Sequence, residues 1–134
     1  MTRVLQPPAW AKPRGFSNGI AVKGGTTVYI AGQVGWMGAG VWEATDFTGQ
    51  FRQALRNILD VLAQSGGRAE HIVRLTWYVV DRGEYLASLA AVGEAYRDLM
   101  GRHYPAMSVV EVSALVESLA LLEIEATAVI PDSF

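Results

Sequence analysis

The sequence predicts an α+β domain in which two helices pack on one face of a mixed β-sheet. Two segments carry apolar residues at three- and four-residue spacing, and several short segments alternate between apolar and polar residues. The chain has 134 residues, of which 51% are hydrophobic, so it can bury one substantial core. We expect a single domain over residues 1–134, because no linker or repeat divides the chain.

The first third of the chain predicts an arm, two strands and a loop. Three prolines predict an irregular arm over residues 1–13. Short apolar stretches at Gly19–Val22 and Thr26–Ala31 predict strands that are joined by a Lys-Gly-Gly turn. The glycine-rich segment 32–40 is too irregular for a helix, so we expect an exposed or functional loop there.

The remainder predicts two helices and three strands in the order helix, strand, helix, strand, strand. The first helix is expected over 46–65, where one apolar stripe recurs at helical spacing. Alternating β-branched and aromatic residues predict a strand over 71–80. A capping box of Asp-Arg-Gly-Glu opens the second helix, which is expected to run over 81–100. The last two strands are expected over 106–113 and 119–130.

The sheet face that the helices leave uncovered is predicted to be largely apolar. Large open apolar patches are rare on monomers, so we expect this face to be buried against other copies of the chain. The alternative is a sheet face that is loosely solvated. Glu111 and Glu123, on neighbouring predicted strands, could approach each other and divide acid and base roles. Alternatively, each accepts hydrogen bonds from backbone N–H groups or from a basic side chain. The residues assigned to this face are Met107, Val109, Glu111, Leu121, Glu123, Glu125 and Thr127.

Composition excludes several classes of function. The chain has 13 acidic and 11 basic residues and a formal net charge of −2, which argues against a nucleic-acid-binding protein. It has no cysteine and two histidines, so a metal site is not expected. No apolar run is long enough to span a membrane, and the proline-rich start does not resemble a signal peptide. We therefore expect a soluble cytoplasmic protein.

Six motifs in order make the chain resemble the RidA/YjgF family of enamine/imine deaminases, once labelled translation inhibitors or endoribonucleases. The resemblance covers about residues 14–131. The motifs are Gly15-Phe16-Ser17-Asn18, Val28-Tyr29-Ile30-Ala31-Gly32-Gln33, QFRQALRNILDVL over 50–62, His71-Ile72-Val73-Arg74-Leu75-Thr76, Tyr104-Pro105-Ala106-Met107-Ser108 and Glu123-Ile124-Glu125-Ala126.

The resemblance implies a chorismate-mutase-like fold that forms a homotrimer with its sheets inside and its helices outside. Ligand sites in this family lie in clefts between subunits. Members with the activity hydrolyse reactive 2-imino or 2-enamino acids to 2-oxo acids and ammonia, and they use no cofactor. Glu123 matches the family glutamate that helps to hold the attacking water, so the resemblance makes it the expected catalytic residue.

The chain departs from the family pattern at the positions that hold the substrate. Met107 stands where the deaminases have an arginine that grips the substrate carboxylate, and a thioether cannot replace that bidentate ion pair. Phe16 stands where the family has a tyrosine, and Val109 stands where it has a cysteine. Ala31, which precedes Gly32, stands where the family has a serine. The expected cleft is therefore apolar.

An apolar cleft suits an aromatic or neutral ligand better than a small acid. We expect Trp36 at its rim and Glu111 among the ligand-binding residues, and Arg14 or Arg102 could supply a replacement charge. Two functions then compete, a hydrolase with an altered substrate and a non-catalytic trimer that binds a small molecule. The nuclease of the old family label is the least favoured, because the chain lacks a basic stripe and a metal-binding cluster.

Overall fold

The computed structural model describes residues 2–38 and 40–132. Helices and strands alternate broadly in the predicted order. The elements are β1 (Thr2–Leu5), β2 (Gly19–Val22), β3 (Thr26–Val34), α1 (Phe47–Ala63), a short 3₁₀ helix (Ala69–His71), β4 (Ile72–Val79), α2 (Arg82–Ala87), α3 (Leu89–Met100), β5 (Ala106–Glu111) and β6 (Leu122–Ile130).

The main sheet is mixed and has the strand order β3-β6-β4-β5. β4 and β5 run parallel, while β6 is antiparallel to both β3 and β4. α1 and α3 pack on one face of this sheet, as the sequence predicts. None of the helices in the described residues is long and apolar enough to cross a membrane.

The core lies between α1 and the sheet because the two apolar patterns meet there. The α1 stripe places Phe51, Leu55 and Ile58 fully inside, against alternate residues of β6 such as Leu122 and Ile124. Burying each such side chain contributes roughly 1.5–3 kcal/mol. This packing, more than helix propensity, holds α1 in place.

The N-terminal arm is more ordered than predicted. Thr2–Leu5 forms β1 and pairs antiparallel with β2, in a small sheet of its own. The predicted turn between β2 and β3 is present, and Gly24 and Gly25 both adopt positive φ there. β2 is nevertheless hydrogen-bonded to β1 and not to β3, and the exposed residues of β1 gave no alternating pattern from which to predict it. Met1 lies outside the described residues.

The second predicted helix is divided into α2 and α3 at Ser88. The Ser88 hydroxyl donates a hydrogen bond of 2.8 Å to the carbonyl of Glu84, and this local bond competes with regular helix geometry. The predicted cap at its start is present, since the Asp81 carboxylate accepts a hydrogen bond of 3.1 Å from the backbone N–H of Glu84. β5 and β6 are shorter than predicted, ending at Glu111 and beginning at Leu122.

The glycine-rich segment 32–40 is part strand and part loop. β3 continues to Val34, with a bulge between Ile30 and Gln33. Gly35 then lies against α1, where an added Cβ would be 2.6 Å from the Cα of Gln50. Ala39 lies outside the described residues.

Gln50 ties α1 to the chain that leads into β6. Its side chain is 2% exposed. The amide donates to the carbonyls of Leu119 at 3.0 Å and Ala44 at 3.4 Å, and its oxygen accepts from the N–H of Leu121 at 2.8 Å. A buried amide that satisfies three backbone groups is costly to replace.

We expect Gln50→Met to lower the free energy of unfolding by about 1–3 kcal/mol, because the backbone groups at Leu119 and Leu121 lose their partner in a buried place. Urea unfolding at fixed protein concentration measures the change. Gln64→Met, at the exposed end of α1, is the matched control and should lie close to wild type. Equal stabilities of the two variants would contradict the role of Gln50.

Candidate functional site

A cavity of about 540 Å³ lies at the β5 edge of the main sheet, between β4 and β5, helices α2 and α3, and the segment before β2. A volume of this size is typical of sites for small organic ligands. The cavity is lined by Arg14, Gly15, Phe16, Trp77, Tyr85, Leu89, Val92, Gly93, Tyr96, Arg97, Tyr104, Met107 and Val109.

The register between β4 and β5 places two predicted site residues in this cavity. Leu75 pairs with Met107 and Trp77 pairs with Val109, so the β5 side chains point to the helix side of the sheet together with the buried residues of β4. Ser108, which pairs with Thr76, points the other way.

Phe16 reaches the same cavity because the chain before β2 is attached to the start of β5. Ser17 donates its backbone N–H to the carbonyl of Pro105 at 3.0 Å and its hydroxyl to the carbonyl of Tyr104 at 2.5 Å. These bonds hold Phe16 against Met107 and Val109, so the structure brings three predicted ligand-binding residues together.

Aromatic rings make up much of the cavity wall. Trp77 stacks on Phe51 with ring centroids 4.8 Å apart, and Tyr85 meets Trp77 edge-on at 6.0 Å. On the far side, Tyr96 stacks on Tyr104 at 5.5 Å. Such paired rings restrict one another and give a wall of fixed shape.

Two tyrosine hydroxyls of the wall, those of Tyr85 and Tyr96, stay neutral. Burial raises the pKa of Tyr85, and burial together with the neighbouring Tyr104 raises the pKa of Tyr96. The Tyr96 hydroxyl donates to the carbonyl of His103 at 2.6 Å, while the His103 ring donates to the carbonyl of Ile72 at 2.6 Å. These bonds fix the loop between α3 and β5.

Two arginines lie in the cavity wall and were only partly predicted. Arg14 is one of the two candidates from the sequence, whereas Arg102, the other, is not part of the wall. Arg97 of α3 lines the cavity and was missed. Within residues 2–38 and 40–132 the wall contains no carboxylate.

Glu123 lies on the opposite side of the sheet from the cavity. We call this side the helix-free face, and the paired positions of the strands define it. A Cβ on Gly32 would overlap the Glu123 carboxylate, so the missing side chain of Gly32 and the bulge beside Ala31 make room for it. The helix-free face includes Tyr29, Arg74, Thr76, Tyr78, Ser108, Val110, Glu123, Glu125 and Thr127.

A second carboxylate on the helix-free face is already bonded. The Tyr78 hydroxyl donates to Glu125 at 2.6 Å. That hydrogen bond is the main cause of a raised pKa at Tyr78, with further contributions from burial and from the charges of Glu125 and Glu123, and Arg74 opposes them. The carboxylate of Glu123 accepts no hydrogen bond from the described residues. It is therefore available to a water or a ligand.

The predicted composition of the uncovered face was correct for Glu123, Glu125 and Thr127 and wrong for β5 and Leu121. Met107, Val109 and Leu121 all pack against the helix-side core, and the helix-free face is mostly polar. The β5 residues were assigned to the wrong side by one position, and a shift of one residue exchanges every side chain of a strand between the two faces. An apolar uncovered face was one argument for the expected trimer, and that argument does not hold.

Glu111 and Trp36 do not contribute to the cavity of their own chain. Glu111 accepts a hydrogen bond of 2.7 Å from the N–H of Arg82, so it caps the start of α2. It is separated from Glu123 by β4 and lies on the other face, so the two carboxylates do not pair. Trp36 packs on Trp42 with ring centroids 5.6 Å apart, away from the cavity wall.

Helical spacing is one signal for the residues that were missed. The sequence predicts a buried stripe on the second helix at Tyr85, Leu89, Val92, Tyr96 and Leu99. Val92 and Tyr96 are buried, Tyr85 and Leu99 are half-buried, and Leu89 is 49% exposed. The same spacing describes a core and a cavity wall. Gly93 was a clearer signal, because glycine is unfavourable inside a helix and its presence there needs a reason. In the described part of the chain, no group of His, Asp or Glu is arranged to hold a metal ion.

Comparison with known proteins agrees with this fold. The family model described as Endoribonuclease L-PSP matches residues 9–130. A RutC family protein of Pyrococcus horikoshii is 34% identical over 109 residues, which are 81% of this chain and 82% of that protein. A 2-iminobutanoate/2-iminopropanoate deaminase of Salmonella typhimurium is 35% identical over 86 residues, 64% of this chain and 66% of the relative.

Among solved structures, a Rid-family protein of unknown function from Yersinia pestis, YyfB, superposes with a TM-score of 0.84 at 35% identity. The superposition covers 96% of this chain and 98% of that protein. The family model extends over the strands, helices and segment that build the cavity. The chain therefore belongs to the Endoribonuclease L-PSP family, which is the RidA/YjgF family that its motifs resemble.

Proposed function

We propose that the protein hydrolyses imines or enamines, with the substrate held in the aromatic cavity. The observation that carries this proposal is the convergence of Phe16, Met107 and Val109 in one cavity, since the family resemblance assigns these three positions to the substrate. The similarity to a 2-iminobutanoate/2-iminopropanoate deaminase supports the same class of reaction. We place the reaction in the cytoplasm.

In the proposed reaction, water adds to the imine carbon and the C–N bond then breaks. Glu123 holds the water, takes one of its protons as the hydroxyl adds to the carbon, and passes that proton to the nitrogen. The hydroxyl then gives its own proton to the nitrogen as the C–N bond breaks, so the carbon becomes a carbonyl and the nitrogen leaves as ammonia. An enamine first takes a proton at carbon and becomes the imine. None of these steps needs a cofactor.

The proposed site is shared between copies of the chain. Glu123 and the cavity lie on opposite faces of one sheet, so a single chain does not bring them together. A homotrimer that packs the helix-free face of one copy against the β5 edge of another would bring the carboxylate to the cavity. The open β5 edge and the free carboxylate of Glu123 support this arrangement.

The alternative is a non-catalytic binding protein that uses the same cavity. The specific observation in its favour is Met107, because a methionine in the cavity wall leaves no cation on β5 to grip a small acid. The two functions are distinguished by ammonia release, which only the hydrolase produces.

We expect the purified protein to be a homotrimer, with a mass of three times 14.5 kDa. Light scattering coupled to gel filtration at micromolar concentration measures it. Val110→Arg, on the helix-free face, should dissociate the trimer by placing a charge in the interface, whereas Ala90→Arg on exposed α3 should not. A wild-type monomer would contradict the shared site.

We expect little activity on 2-iminopropanoate, because Met107 cannot form the ion pair that the family places on β5 and this substrate has no ring to pack in the aromatic cavity. Losing such a pair costs roughly 2–5 kcal/mol, or a factor of about 30 to several thousand in kcat/KM. Ammonia release from freshly generated imine is the assay. Met107→Arg should raise the rate, and Met107→Leu, a control of similar volume, should not. Wild-type turnover equal to that of the Met107→Arg variant would contradict the role of this position.

We expect Glu123→Gln to lower hydrolysis of any accepted imine by about 100-fold or more, because Gln keeps the shape of Glu but cannot take a proton. Glu125→Gln is the matched control, since Glu125 lies on the same face and is already bonded to Tyr78. The control should retain most of the activity, and both variants should remain assembled. If Glu123→Gln dissociates, the carboxylate has a structural role and the catalytic assignment fails.

A further inference from the structure

Gly93 lies inside the continuous helix α3 and lines the cavity. Glycine is among the least favourable residues inside a helix, so its occurrence there calls for a local cause. Gly93 and Arg97 are four residues apart and therefore lie on the same side of α3. A Cβ at Gly93 would be 3.4 Å from the Nη1 of Arg97, so the guanidinium lies over the helix backbone one turn back, in the cavity wall.

Arg97 and Arg14 are cations without a counter-charge. Elsewhere on the surface, Arg52 pairs with Asp98 at 3.1 Å and Arg68 with Glu70 at 3.3 Å. Within residues 2–38 and 40–132, Arg97 and Arg14 have no salt-bridge or side-chain hydrogen-bond partner, and the cavity wall holds no carboxylate. The cavity therefore presents two unneutralised guanidinium groups to a ligand.

The rest of the wall is suited to a flat ring. Phe16, Trp77 and Tyr104 line the cavity together with Met107, whose sulfur also makes favourable contacts with aromatic rings. Trp77 is 4% exposed, and its Nε1–H is the one buried side-chain polar atom of the described residues without a hydrogen-bond partner.

We propose that the cavity selects an aromatic carboxylate, with the ring against the aromatic wall and the carboxylate on Arg97, assisted by Arg14. Resting on the proposed hydrolysis, this makes the substrate a 2-imino acid with an aromatic side chain and the product the corresponding 2-oxo acid. The anion is then gripped from helix α3 and not from β5, where Met107 stands. The guanidinium fork matches a carboxylate with two parallel hydrogen bonds.

Titration calorimetry with three unreactive probes tests the selection of ring and charge separately. The probes are 3-phenylpropanoate, its neutral amide 3-phenylpropanamide, and propanoate, which lacks the ring. We expect 3-phenylpropanoate to bind at least about tenfold more tightly than either of the others, since a hydrogen-bonded ion pair is worth that factor or more. Equal binding of the acid and the amide, or no binding of any probe, would overturn the proposal.

Arginine variants test which guanidinium binds the carboxylate of 3-phenylpropanoate. Arg97→Gln should weaken the binding of 3-phenylpropanoate about tenfold or more and leave the binding of 3-phenylpropanamide unchanged. Arg97→Lys should recover part of the lost affinity. Arg102→Gln, an arginine just beyond α3 and outside the cavity wall, is the matched control and should bind as wild type. If Arg97→Gln and Arg102→Gln bind 3-phenylpropanoate equally, Arg97 is not the anion site.

Gly93→Ala gives a second readout that does not depend on losing a charge. The added methyl group would lie 3.4 Å from the Nη1 of Arg97, an ordinary contact, so it should raise Tm, because alanine favours the helix, and leave the binding of 3-phenylpropanoate unchanged. A large loss of binding in this variant would show that the cavity wall, and not the charge of Arg97, controls binding. None of these binding measurements requires turnover, so they can fail while the ammonia assay with Glu123→Gln still supports hydrolysis, and the reverse also holds.

Discussion

The parallel register of β4 and β5 is the constraint on which the rest of the structure depends. Leu75 lies beside Met107 and Trp77 beside Val109, so both strands turn the same alternate residues toward the helices. A slip of one residue would move Met107 to the helix-free face and place Ser108 in the wall. With the observed register, the edge of the sheet and α3 enclose an aromatic cavity.

Local patterns in the sequence predicted the elements well where polar and apolar residues contrast. The stripe of α1 and the alternation of β6 each have one clean apolar face, so their buried residues followed directly. The β5 segment Met107–Glu111 has no such contrast, since Ser108 and Val110 suit either side. Its orientation is decided by pairing with β4, a long-range contact that spacing alone does not reveal. The pairing of Glu111 with Glu123 was wrong for the same reason.

The cavity could not be predicted from the sequence, because a cavity wall and a packed core have the same residue types at the same helical spacing. Tyr85, Val92 and Tyr96 recur at helical spacing and are largely buried, as residues of a packed core also are. What separates the two is a local deviation from good helix packing. Glycine destabilises the helix at position 93 and adds no side chain to the wall. Gly93 and Arg97 therefore line the cavity together on one side of α3.

In the proposed homotrimer, the assembly of the chains and the hydrolysis at Glu123 depend on each other, because the two faces of the sheet differ. On the helix-free face, Tyr78 donates its proton to a hydrogen bond with Glu125, and the raised pKa of Tyr78 keeps that donor in place. Glu125 is thereby held, while Glu123, beside the space left by Gly32, keeps free acceptor atoms. Burying an unsatisfied carboxylate in an interface is costly unless water or a ligand bonds to it. An assembly that covers this face must therefore supply Glu123 with a hydrogen-bonding partner, and in the proposed reaction that partner is the attacking water.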